Sequence, residues 1–180
     1  KKHGFALVEL IVVISILAIM VCIAIPGYSR WLPGHKLKSA ARQLFSSMHL
    51  AKMTAIRNNG ETAVVFNRLG NNHYQVVDGG PDGDYDTGGD NVIIKTININ
   101  DYGAGVGFGI GGAETGAGGS STSAITFSGN PKRVVFDGRG MANVSGYAHL
   151  ENQNQTRSYA IGALASGVVR FRKWNGANWE

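Results

Sequence analysis

The sequence predicts an α+β fold, a long N-terminal helix packed on an antiparallel β-sheet head, and three observations predict it. The first is an apolar run from Phe5 to Pro26. The second is a stripe of Leu37, Ala41, Leu44, Met48, Ala51 and Ala55, spaced alternately by four and three residues. The third is a change of hydrophobic period after Glu61, with Gly, Asn and Asp at the breaks. Periods of about 3.6 and about 2 belong to a helix face and a half-buried strand. The chain of 180 residues has room for one modest domain beside one long helix. It divides into a basic leader (1–4), an apolar helix (5–26), an amphipathic helix (27–60) and a β-rich head (61–180).

The apolar run comes first. At a helical rise of about 1.5 Å per residue it spans roughly 30 Å, the thickness of a bilayer's hydrocarbon core. Lys1 and Lys2 precede it, which predicts a cytoplasmic N-terminus. A secretory signal has a shorter apolar region followed by a small-x-small cleavage site, and Pro26-Gly-Tyr-Ser-Arg is not one. A plain anchor gives no reason for Glu9, since a carboxylate costs about 2.5–3.5 kcal/mol at the bilayer centre and less near one end. If the chain is cut between Gly4 and Phe5, a new amine appears four residues before Glu9. In a polymer, Glu9 of one subunit could then neutralise the amine of its neighbour, removing a desolvation penalty for both. Cys22, the single cysteine, lies in this run and reads as a small membrane-facing residue, so no intramolecular disulfide forms.

Beyond the run, Pro26-Gly27 and Pro33-Gly34 predict that the helix kinks, loosens or melts. The stripe from Leu37 to Ala55 reads as a packing face against the head rather than a coiled coil. Asn58, Asn59 and Gly60 end it, with Arg57 in the last turn. Strands are predicted at 62–69, 73–78, 91–99, 124–128, 133–137, 141–152, 156–161 and 168–173, with a hairpin-like turn at Asp137-Gly138.

Lys-Lys-His-Gly followed by Phe-Ala-Leu-Val-Glu-Leu-Ile-Val-Val-Ile resembles the class III signal of type IV pilins and type II secretion pseudopilins. Ala6 stands where threonine is usual. The resemblance implies cleavage after Gly4 by a prepilin peptidase, N-methylation of Phe5, and Glu9 as the assembly carboxylate. Pro26 falls where many members carry a helix-loosening proline. The stretch Arg42-Gln-Leu-Phe-Ser-Ser-Met-His-Leu-Ala-Lys-Met-Thr-Ala-Ile-Arg-Asn-Asn, then Ala-Val-Val-Phe, is similar to the GspH pseudopilins and FimT minor pilins. The closing strands around Ser158 to Arg172 resemble them more loosely. The family implies a filament subunit without enzymatic activity, held single-pass in the inner membrane and assembled into a periplasmic or extracellular filament. Its partners would be copies of itself, other pilins or pseudopilins, the peptidase and an inner-membrane assembly platform. Secretion pseudopilin, minor pilin for DNA uptake and main pilus subunit all remain open.

Charge is unevenly spread within a net +5. From Arg30 to Arg57 every Lys, Arg, Asp or Glu is basic, whereas the middle is acidic. This asymmetry suits register between stacked subunits or an anionic partner. Asp82, Asp84, Asp86 and Asp90 lie on one Gly-rich loop and could present oxygen ligands to calcium. Thr87 and Ile93 stand where an EF-hand has Gly and Glu, and a solvated acidic turn is the competing reading. Gly107-Phe-Gly-Ile-Gly-Gly has dinucleotide-fingerprint spacing, but more glycine follows instead of a helix, so it reads as a flexible surface loop. Arg170, Arg172 and Lys173, near Trp174 and Trp179, could track nucleic-acid phosphates while a ring stacks on a base. DNA-uptake pilins of the FimT type carry Gly-Arg-x-Arg here, where this chain has Gly167-Val-Val-Arg170. The alternative is an edge strand guarded by charge. The five histidines are scattered, and no catalytic motif stands out.

Overall fold

The computed structural model describes residues 7–85, 89–103, 105–119 and 121–180, without the side chains of 24–31. Helix α1 (Leu7–Asn58) is followed by β1 (Thr62–Phe66), β2 (His73–Asp78), β3 (Val92–Asn98), a single turn of 3-10 helix (Ile99–Tyr102) and β4 (Gly107–Phe108). Then come β5 (Arg133–Phe136), β6 (Gly146–Glu151), β7 (Ser158–Ala163) and β8 (Val169–Lys173).

Of the outcomes expected at Pro26 and at Pro33-Gly34, melting does not occur, since α1 stays helical for 52 residues. A proline inside a helix costs about 3 kcal/mol by deleting one donor and crowding the preceding turn. Stopping and restarting requires a new nucleus, in which several residues are fixed for a single hydrogen bond. Continuing therefore competes well with breaking. The helix ends as predicted: Asn59 takes a left-handed φ of 49°, and the Gly60 amide donates to the Ala55 carbonyl at 3.1 Å.

The head holds two four-stranded antiparallel sheets rather than one. Their orders are β3-β2-β1-β5 and β4-β6-β7-β8. The second half of α1 lies across both. All six predicted stripe residues are fully buried, against Val64, Phe66, Tyr74 and Val76 of the first sheet and Ala148, Leu150 and Ile161 of the second. Phe66 and Phe127 stack 5.6 Å apart between the sheets. Ser47 and Tyr74 join the helix to β2 by a buried hydroxyl pair at 3.2 Å, and burial raises the Tyr74 phenol's pKa.

Two expectations about the head change. The strand predicted at 124–128 forms only an isolated bridge, Ile125 with Ala148. The glycine-rich segment is not a free surface loop, because it contributes β4 to the second sheet and buries Val106, Ala113 and Ala117. Glycine here permits close approach. A Cβ at Gly111, whose φ is +63°, would sit 2.0 Å from the Ser158 hydroxyl, while the Gly111 amide donates to Glu151 Oε2 at 2.7 Å.

Candidate assembly segment and head surfaces

From Leu7 to Ile23 every side chain of α1 is exposed, and nearly all are apolar. A helix apolar on every side is solvated by lipid or by other helices, since water offers it no favourable face. Glu9 is the acid of its first turn, where the helix dipole favours negative charge. Ser15 returns its hydroxyl to the Ile11 carbonyl at 2.7 Å and so adds little polarity to the surface. Cys22 is exposed on the same surface. Gly4 and Phe5 lie outside the described residues, as does the side chain of Pro26. Among the described residues no helix is long and apolar enough to cross a membrane.

At the far end of the head the acidic loop returns to the end of α1. Asn58 Nδ2 donates to Asp78 Oδ2 at 2.7 Å. Asp82 Oδ1 accepts the Asp84 amide at 3.0 Å, and Asp90 Oδ2 accepts the Asp82 amide at 3.4 Å. These carboxylates thus serve as turn acceptors. No group of three metal-ligating side chains converges among the described residues, and Asp86 lies outside them.

The basic C-terminal cluster is divided by β8. Arg170 is exposed and pairs in register with Gly162, and Arg172 shares its face, with a guanidinium nitrogen 3.4 Å from the Trp179 carbonyl. Phe171 turns the other way, edge-on to Phe45 of α1 at 5.8 Å. Lys173 follows Phe171 by two and so leaves the arginines' face. Neither tryptophan is a free ring: Trp174 and Trp179 pair across a backbone bridge, and Trp179 Nε1 donates to the Thr115 carbonyl at 2.9 Å.

His149, one of the five scattered histidines, lies on β6. It is fully buried, and its Nδ1–H donates to the Ala124 carbonyl at 2.9 Å while Nε2 accepts the Ala117 amide at 2.8 Å. Trp179 caps it edge-on at 5.3 Å. The pair of bonds needs the neutral ring, and burial lowers its pKa despite the opposing bond to Ala124. The only sequence signal was a histidine inside an otherwise apolar strand.

A β-rich head carried on a helix whose leading half exposes a continuous apolar surface is the architecture of a pilin-like subunit. The chain's two ends of this description match separately: the prokaryotic N-terminal methylation motif covers residues 1–25, and the family described as type II transport protein GspH covers residues 40–167. The chain belongs to the GspH family, and is a type II secretion pseudopilin or pilin subunit with an inner-membrane-anchored precursor. No curated protein and no solved structure gives a significant match.

Proposed function

We propose that the chain is a structural subunit that polymerises through its N-terminal helix in a filament serving type II secretion. The observation that carries this reading is the apolar surface of α1 from Leu7 to Ile23, interrupted by one acid at Glu9. A prepilin peptidase cuts after Gly4, Phe5 is N-methylated, and residues 5–26 hold the precursor single-pass in the inner membrane. An assembly platform then lifts it into the filament, where Glu9 neutralises the amine of a neighbour's Phe5. Leaving lipid while paired avoids the cost of either charge alone in an apolar surrounding. Glu9→Ala tests this: the variant enters the membrane at normal level but is missing from sheared filaments. Normal incorporation would remove the pairing mechanism.

A second reading, DNA binding for uptake, is favoured by the shared outer face of Arg170 and Arg172 on edge strand β8. Phosphate contacts of this kind weaken steeply with salt. A gel-shift titration of the full chain in detergent reads it, with Arg170→Ala and Arg172→Ala each losing about tenfold. An affinity that is absent, or indifferent to salt, sinks it.

A further inference from the structure

Where α1 enters the head, a cleft of about 530 Å³ opens between the helix, the residues leading into β7 and the end of β8. Three cations line it from separate parts of the chain: Lys38, Arg157 and Lys173. Tyr159 and Trp174 line the same space, and among the described residues no carboxylate does. None of the three cations has an ion-pair partner among the described residues. Glu180 lies opposite Lys173 in a backbone pair, but its carboxylate is bonded by Asn175 Nδ2. Gathered like charges repel, so the fold maintains an arrangement that an anion would relieve. Arg157 lies against the helix at Gly34, where a Cβ would sit 2.7 Å from one of its guanidinium nitrogens.

The position of the cleft narrows the choice of anion. From Pro26 to Gly34 the helix rises about 12 Å at roughly 1.5 Å per residue. The headgroup layer extends about 5–8 Å beyond the hydrocarbon, so Gly34 stands about 4–7 Å above it, a gap that long basic side chains span. The acids Asp78, Asp82 and Asp84 lie at the other end of the head, beyond Asn58. The cleft thus lies at the end of the head that faces the apolar half of α1.

We propose that this cleft binds the phosphate of an anionic phospholipid headgroup, seating the head on the membrane before assembly. Lys38, Arg157 and Lys173 neutralise the phosphate, and Trp174 supplies the ring that favours a membrane interface. The inference rests on the membrane reading of residues 5–26, and its test separates the two.

The full chain is reconstituted into nanodiscs of phosphatidylcholine alone or mixed with phosphatidylglycerol, and lysine acylation is followed residue by residue. Lys38 and Lys173 should react about fivefold more slowly in the anionic discs, the factor expected for one basic residue at such a surface. Lys95 and Lys132, elsewhere on the head, serve as references and should not change. Arg157→Gln, which removes the third cation from the cleft, should lose most of the protection. Equal labelling of Lys38 and Lys173 in both discs overturns the proposal. So does equal protection in neutral discs by inorganic phosphate or by single-stranded DNA, which would make the cleft a general phosphate or nucleic-acid site. A chain that fails to co-elute with either disc overturns the membrane reading itself.

Discussion

At the scale of the residue, His149 shows how a titratable side chain serves structure. It bonds the backbone within the glycine-rich segment at Ala117 and just beyond it at Ala124. Its folded pKa lies below the ordinary value of about 6.5, so the unfolded chain binds the proton more readily. Its contribution is complete above that value and is lost as pH falls toward the folded pKa. The melting temperature of the full chain in detergent should therefore hold above about pH 7 and begin to fall below about pH 6.5, ahead of the carboxylates. His149→Gln should flatten that first descent; an unchanged profile would assign it to another group. None of this was legible in the sequence, because a histidine's burial depends on what folds over it. Glu9 was legible for the opposite reason: a carboxylate within an apolar run is anomalous before any fold is known.

At the scale of the element, the stripe on α1 carries the head's core. Leu44 is fully buried beneath both sheets, and Leu44→Ala should cost about 2–5 kcal/mol by loss of transfer energy and a residual cavity. A chemical-denaturation midpoint checks it; a change under about 0.5 kcal/mol, the range of ordinary surface substitutions, would contradict the packing. The stripe was readable because its spacing is intrinsic to a helix. Strands β1, β2, β3, β5 and β8 were readable because short runs rich in β-branched and aromatic residues, bounded by turn residues, are a local signal. The two-residue strand β4 was not, since Gly107 and Phe108 have no period to show and owe their pairing to β6. Pro26 does not melt α1, because restarting the helix would require a new nucleus.

At the scale of the whole molecule, α1 connects two environments. Its first half presents an apolar surface that needs lipid or other helices, and its second half forms one wall of the head's core. The sequence distinguished those halves through composition, and the family relation followed from both ends of the chain. It did not disclose the split of eight strands into two sheets, which depends on long-range pairing of β5 with β1 and of β4 with β6. Nor did it reveal that Lys173 parts from Arg170 and Arg172 to join Lys38 and Arg157, cations from distant elements.

The central claim is that assembly requires the charge of Glu9 and not merely the shape of its side chain. Glu9→Gln keeps the length and removes the charge, so the most direct measurement is the fraction of this variant in purified filaments at matched membrane levels. The account predicts a loss of at least about tenfold, because the neighbour's Phe5 amine would enter the apolar bundle unpaired. Glu9→Gln filaments as abundant as those of the unaltered chain would contradict it.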